Sequence, residues 1–565
     1  MIDRSSPLTS TETLPAASDF PIHWEDPADE QAFWFQDVMH SPQPFTPMTA
    51  TLFQPAFSEG ASRAIAKLSM PISGLRVCIQ NGYLYLGPVP VMGTPEELGK
   101  RFAEMQRLVM ELAPTAHKDW LETFEPRVRE RADHILAFDY ENSSTVEVAC
   151  FARTLYAELV DVWDVHMRVN IPTMNVVFGF EEFLTATLGA DAVGQSRLLL
   201  QGFDNKSMET ARAMWELSRW VRGIAELADV VLAGRVRGGS IELGDHPQAG
   251  QFRSRFDAFL ETCGWRSDVF FEFACKTWRE DPSTTLTQLK AYIGRDDAHD
   301  PFAAHARQAA ERDRLVAEMA ARLPEAARPQ FHGMLQLAQQ YIPIAEDHNF
   351  TIDQGFTTVV RHALLELGRK LAAEGRLADP EDVFYLTFSE ACALGDADDG
   401  QDLKAPVRQR RQEIVRQGKM RAPVMIGTPP PADMPPDPLV TKFFGVGLTP
   451  SVDPSVVTGH PCSAGIVTGE AKVVLTLDEA EKVKPGDILV CRMTMPAWTP
   501  LFGIVGAVVA DSGGPLSHCA IVAREYGIPC VAGTQNGTAV IKDGMQVRVD
   551  GSTGIVTILG TQHRG

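Results

Sequence analysis

The sequence predicts a multidomain protein: a large, mostly α-helical N-terminal domain with a small β patch, followed by a C-terminal α/β domain. The 565 residues exceed what one hydrophobic core holds, so two or three domains are expected. Apolar residues recur every three or four positions from residue 94 to about 419, whereas short, glycine-punctuated apolar runs fill 459–559. Between them stands TPPPADMPPDP at 428–438, an extended, semi-rigid linker with few helical options. These shifts divide the chain into a flexible tail at 1–20, a helical domain at 21–425, a proline-rich linker at 426–450 and a C-terminal domain at 451–565.

The elements follow in order. Two strands, 76–80 and 83–86, flank Asn81-Gly82, a strong hairpin signal. Pro95 with Glu96 and Glu97 opens an amphipathic helix, and further helical stretches begin near Thr145, Ser207, Ala303, Arg328 and Phe356. Residues 382–386 read as a short strand or turn. Pro343 is expected to break or kink its helix just before Glu346-Asp347-His348-Asn349. No sequence repeat indicates a solenoid.

Composition excludes several classes of function. A net charge of −21 argues against nonspecific nucleic-acid binding and gives no support for docking on an anionic membrane. The nine cysteines stand singly with no CxxC pair, and no secretory leader is visible, which indicates a reducing cytoplasm. No apolar run approaches the roughly 18 residues that a membrane span needs. A cytoplasmic protein is expected.

The most informative segment is DSGGPLSHCAIVAREYGIPCVAGT at 511–534. An apolar run at 504–510 reads as a buried strand, Gly513-Gly514 as a tight turn, and 519–526 as a helix stopped by Gly527 and Pro529. Ser517-His518 therefore falls at the helix start, where unpaired N–H groups and the helix dipole suit a phosphoryl group. The tripeptide alone also fits an ordinary turn with a capping serine. Cys519 is expected to face the core as a small apolar residue.

The whole stretch 459–559 resembles the phosphohistidine swivelling domain of the phosphoenolpyruvate (PEP)-utilising enzymes. Ser463-Ala464-Gly465 with Gly469, the strand entry at 485–490, Thr494-Met495-Pro496-Ala497-Trp498-Thr499-Pro500, the histidine segment and the runs at 542–544 and 549–551 carry the match. The family includes pyruvate phosphate dikinase, phosphoenolpyruvate synthase, rifampicin phosphotransferase and phenylphosphate synthase. The resemblance implies that His518 is phosphorylated, that Gly513, Gly514 and Ser517 shape its loop, and that Thr494 lies beside it. A hydroxyl accepting the Nδ1 proton would leave Nε2 to attack.

Neither the family's ATP-grasp motifs, nor a P-loop, nor its PEP-binding barrel is recognisable. The resemblance therefore implies an acceptor-binding and phosphocarrier component, supplied with the β-phosphoryl of ATP by a separate ATP-grasp subunit. ATP and Mg²⁺ would be held by that partner and not by this chain, and no metal-ligand cluster is expected here. A more weakly matching helical region, similar to the central domain of rifampicin phosphotransferase-like proteins, implies the acceptor site between about 150 and 370. Its candidates are His348 as base or phosphate partner, oriented by Asp347 or Glu346, with Asp353 following. Arg266 is a candidate for orienting phosphate or for a buried ion pair. Trp265, standing where many relatives carry histidine, suggests a hydrophobic acceptor. His166 is either pocket-lining or a core histidine, and Phe270, Phe271 and Phe273 form either an apolar wall or ordinary core. Two alternatives remain open at this point: a ligase-like member that phosphorylates a substrate for condensation, and a non-catalytic protein switched by phosphorylation.

Overall fold

The computed structural model describes residues 20–561 apart from 190–191, 298–299, 397–399, 430–438, 445–450 and 452. The tail at 1–19 and most of the proline-rich linker thus lie outside the described residues. Helices dominate up to residue 417, and a sheet-rich unit occupies 456–561.

A four-stranded antiparallel sheet opens the N-terminal unit, in the order Ile72–Gln80, Tyr83–Pro90, Phe33–Gln36, Met425–Gly427. Asn81 and Gly82 adopt positive φ in the tight hairpin turn, as their sequence indicates. The fourth strand corrects one expectation. Residues 426–427 are not free linker, because Ile426 pairs with Trp34 and Gly427 with Phe33. The Leu439–Phe443 turn is also anchored, with Lys442 Nζ 3.0 Å from Glu181.

Helices pack beneath this sheet. Pro47–Lys67 crosses the 35-residue helix Thr154–Leu188 at Gly60, where a Cβ would stand 2.6 Å from Trp163 Cβ and Val160 O. Only glycine permits that approach. Thr154–Leu188 buries residues on nearly every face, the pattern of a central helix. Thr94 with Glu97 and Ser144 with Glu147 form capping boxes that begin Pro95–Leu112 and Thr145–Ala152.

Pro343 does not end its helix. Arg328–His348 runs through it into a π-helical stretch, Asn349–Phe356, which continues as Thr357–Ala373. Residues 380–385 form a 3₁₀ turn rather than a strand.

The C-terminal unit is an eight-stranded sheet ordered Val456–Thr458, Ile555–Thr561, Met545–Asp550, Ile466–Val473, Ile488–Cys491, Ala507–Ala510, Cys530–Ala532, His460–Ser463. Its four strands from Ile466–Val473 to Cys530–Ala532 are parallel, and antiparallel strands flank them on both sides. Parallel strands demand cover on both faces, and Ile488–Cys491 and Ala507–Ala510 are buried throughout. The helix His518–Tyr526 supplies part of that cover and ends on Gly527 at φ 65°. Among the described residues, no helix is long and apolar enough to cross a membrane.

Candidate active site

The strand Ala507–Ala510 delivers the chain into a bend at Gly513, whose φ of 97° only glycine accepts without strain. Ser517 occupies the N-cap position, but its hydroxyl donates back to Gly514 O at 2.7 Å and makes no cap bond. The bend is thereby closed on itself, and His518 becomes the first residue of the helix.

The imidazole is held at both nitrogens. Thr494 Oγ1 lies 3.0 Å from Nδ1 and Thr499 Oγ1 lies 3.1 Å from Nε2. With Thr494 accepting from Nδ1–H, Thr499 donates to the Nε2 lone pair. Phe502 meets the ring edge-on at 5.9 Å. The side chain is buried, only 6% exposed, and does not stand on an open loop. Burial, aided by the nearby Arg266 guanidinium, lowers its pKa to about 3, so the ring is neutral.

What buries it is the helical unit. Glu346 Oε2 stands 4.0 Å from His518 Nε2 and accepts from Ser207 Oγ at 2.7 Å. Desolvation raises the Glu346 pKa to about 8, with Ser207 and Arg266 opposing. Arg266 is fully buried, donates Nη2 to Lys206 O at 3.1 Å and lies over the Phe350 ring at 4.8 Å. Nε2 of His518 therefore faces a polar compartment of Thr499, Glu346, Ser207 and Arg266. A phosphoryl group there would meet a guanidinium charge and a carboxyl able to donate a hydrogen bond.

On its other side the same loop closes a cavity of about 470 Å³. Met493, Thr494, Gly513, Leu516, Ser517 and His518 form one wall, and Phe53, Phe57, Phe270, Phe271, Phe178 and Phe444 are among the apolar residues opposite. The walls come as much from residues 35–106 as from 150–370, which corrects the predicted extent of the site. Ligand cavities of this size and lining hold small, largely apolar molecules.

The predicted acceptor residues separate around the Arg328–His348 helix. Glu346 faces His518, Asp347 accepts from Lys206 N at 2.8 Å at the start of the helix Lys206–Arg222, and His348 lines the cavity. Successive positions turn by about 100°, so neither Asp347 nor Glu346 orients His348, contrary to expectation. Instead His348 Nδ1–H donates to Ile344 O at 2.8 Å and Nε2 lies 2.9 Å from Asn170 Nδ2. Desolvation lowers its pKa to about 4, whereas burial takes that of Asp347 up to about 6. Trp265 is another correction. It is absent from the cavity wall and carries the Arg279 guanidinium over its ring at 4.6 Å. Phe270 and Phe271 reach the cavity, while Phe273 belongs to the buried core. Cys519 is buried as expected, although it also touches the cavity.

Sequence reasoning missed Thr499 and Ser207 as neighbours of the histidine. It also missed a cluster. His166, His348 and Asp353 bring ligand atoms within 4.8 Å of one another, a grouping that their spacing in the sequence does not announce.

A glycine-bent strand-to-helix turn thus presents a neutral histidine that is hydrogen-bonded at both ring nitrogens. Residues 483–554 match the PEP-utilising enzyme mobile domain, and residues 166–346 match the rifampicin phosphotransferase fourth domain. The chain thus carries recognisable domains of the PEP-utilising enzymes. It is 34% identical to chondramide synthase of Chondromyces crocatus over 97% of its own length and 14% of that protein. An uncharacterized phosphotransferase of Bacillus subtilis is 26% identical over 94% of this chain and 62% of its own length. Rifampicin phosphotransferase of Streptomyces sviceus is 31% identical over 56% of this chain and 36% of its own. In each case the chain spans less than two thirds of the relative.

Proposed function

We propose that this chain is the acceptor-binding and phosphocarrier part of a dikinase-type phosphotransferase. An ATP-grasp unit, on a separate subunit, places the β-phosphoryl of Mg-ATP on His518 Nε2. The His518 unit then docks as described above, and a hydroxyl of a small apolar or aromatic molecule in the cavity takes the phosphoryl group. The balance is ATP + acceptor + H₂O giving phospho-acceptor, AMP and orthophosphate. In the second half-reaction an O–P bond forms, the N–P bond breaks and its electron pair returns to the imidazole. Glu346, 4.0 Å from Nε2 and with its pKa raised to about 8, takes the acceptor's proton in its ionised form when the acceptor's hydroxyl reaches from the cavity to the phosphoryl group on Nε2. Positioning and charge stabilisation supply the rest.

The single observation that carries this reading is that His518 walls an aromatic cavity built largely by the other unit. The names of relatives, two of them phosphotransferases, support the reaction class. The test begins with potassium phosphoramidate as a small donor. It should leave an acid-labile, base-stable phosphate on His518 by mass spectrometry, and none in His518→Gln. A phosphate mapping elsewhere, or micromolar Mg-ATP binding by this chain alone in calorimetry, overturns the two-component scheme.

A second reading, phosphorylation to activate a substrate for condensation, is favoured by the alignment of nearly the whole chain with a segment of a synthase. Product analysis separates the two: a released phosphoester in the first, a coupled product without phosphate in the second.

A further inference from the structure

His166, His348 and Asp353 stand together at the edge of the cavity. His166 lies on Thr154–Leu188, His348 ends Arg328–His348, and Asp353 lies in the π-helical stretch that follows. His166 Nε2 is 3.2 Å from Asp353 Oδ1, and His348 Nε2 is 3.8 Å from Asp353 Oδ2. The carboxylate is fully buried, yet no hydrogen bond of proper geometry reaches either of its oxygens. The bond from Nδ1–H to Ile344 O fixes the His348 tautomer, so its Nε2 also presents a lone pair.

Acceptor atoms thus converge with little to satisfy them. Asn170 Nδ2 lies 2.9 Å from His348 Nε2 and 3.1 Å from His166 Nε2, but it does not bond Asp353. His40 is already engaged by Asp37 at 2.6 Å. A buried carboxylate without hydrogen bonds is costly, and a cation removes that cost. Two imidazoles and one carboxylate are the donor set of zinc, iron, cobalt and manganese sites that keep open positions. Bond lengths of about 2.0–2.2 Å separate neighbouring ligands by roughly 3–3.5 Å, which the observed 3.2 and 3.8 Å nearly meet.

We propose that His166 Nε2, His348 Nε2 and the Asp353 carboxylate bind a divalent transition-metal ion whose open positions face the cavity. Resting on the acceptor reading above, an oxygen of the cavity's occupant completes the coordination. The favoured acceptors are then apolar molecules whose hydroxyl, or adjacent oxygen pair, ligates a metal. Such coordination lowers the hydroxyl's pKa and fixes its place in the cavity. His348 serves as a ligand and Glu346 keeps the proton.

The experiment titrates Co²⁺, and separately Zn²⁺, into the full chain after chelator treatment. Stoichiometry is read by elemental analysis and coordination by the visible Co²⁺ spectrum. One tightly held ion per chain with d–d absorption is expected, with affinity lowered by about 100-fold or more in Asp353→Asn and in His166→Gln, since even outer-shell changes cost 10–100-fold. Circular dichroism verifies that both variants fold. If either does not, the wild-type spectrum decides, because two histidines with a carboxylate give a signature distinct from adventitious surface binding. No saturable ion, or equal affinity in the folded variants, overturns the proposal. Phosphorylation of His518 by phosphoramidate and onward transfer are measured on the wild-type chain alongside, as a separate readout of the function. A metal that binds without any phosphoryl transfer would sink the function and leave the site, and the converse result would do the reverse.

Discussion

Replacing Thr494 by valine tests how the histidine is made nucleophilic. Thr494 is buried, and its Oγ1 lies 3.0 Å from His518 Nδ1. Valine keeps the shape and removes that contact, leaving Thr499 and Phe502 to hold the ring. A buried group that loses its partner costs about 1–3 kcal/mol, or roughly 5- to 150-fold in an equilibrium or rate. The single-turnover rate of His518 phosphorylation by phosphoramidate should therefore fall by about tenfold to a hundredfold. The docked ring, with a pKa near 3, is neutral from pH 5 to 8, and an undocked ring near the ordinary value of about 6.5 is neutral at pH 8. The two proteins are therefore compared at pH 8 and above, where the loss should not change with pH. An unchanged rate would reduce Thr494 to a structural role, and a loss that vanished on raising the pH would mean that the substitution acts on protonation instead of orientation.

Further outcomes follow from the same geometry. Glu346 titrates near 8 when folded, above its ordinary 4.5, so the folded state binds more protons between those values and stability falls as pH rises through them. Glu346→Gln should thus raise the melting temperature more at pH 8 than at pH 5, by an amount equivalent to a few kcal/mol, while slowing phosphoryl transfer to the acceptor. Conversely, His518 and His348 have depressed pKa values of about 3 and 4, so their contribution to stability is intact above pH 6.5 and is lost as pH falls toward those values, measurable as a falling melting temperature. His348→Ala should weaken acceptor transfer at least tenfold, as loss of a positioning contact does, without changing phosphorylation of His518. Ala345→Trp, projecting bulk into the cavity, should abolish acceptor transfer and spare phosphorylation; competition by 2-naphthol, a cavity-sized phenol, reads the difference.

Much of this arrangement was legible in residue order, for physical reasons. The Gly513-Gly514 bend, the helix from His518 to Tyr526 and its Gly527 stop rest on local backbone preferences, which the sequence states directly. The hairpin at Asn81-Gly82 is of the same kind. What stayed hidden depended on long-range packing. Nothing local indicates that Met425–Gly427 returns to pair with Phe33, or that Phe444 packs at a tilt against Phe35, with ring centres 4.9 Å apart, beside the cavity. The His348–Asp353 pairing was hidden by a subtler cause. At α-helical periodicity residues five apart point well away from each other, whereas the π-helical stretch Asn349–Phe356 brings i and i+5 onto one face. Pro343 misled in the same region, because the helix continues through it.

The buried position of His518 imposes a cycle on any carrier function. His518 is buried, and Glu346 of the helical unit stands 4.0 Å from its Nε2, so the C-terminal unit must leave its seat for a nucleotide-binding partner to load the histidine. The seat is held by bonds that cross between the units. Both Glu525 oxygens accept from Gly202 N at 2.9 and 3.0 Å, Gln288 Nε2 donates to Ala497 O at 2.9 Å, and Arg295 Nη2 donates to Ile504 O at 2.5 Å. Departure would also take the His518 wall off the cavity, coupling release of product to reloading. Glu525 is the sharpest lever: it is buried and meets His305 Nδ1 at 3.2 Å as well. A hydrogen bond to a charged group contributes about 1.5–3 kcal/mol, so Glu525→Ala should raise the undocked population by roughly tenfold to a hundredfold. Phosphoramidate should then label His518 faster, acceptor transfer should slow, and amides of the His518–Tyr526 helix should exchange more readily. The exposed Asp453→Ala on the same unit serves as control. If labelling and exchange in Glu525→Ala match the control, the docked arrangement does not gate access to His518, and the histidine must be loaded where it lies.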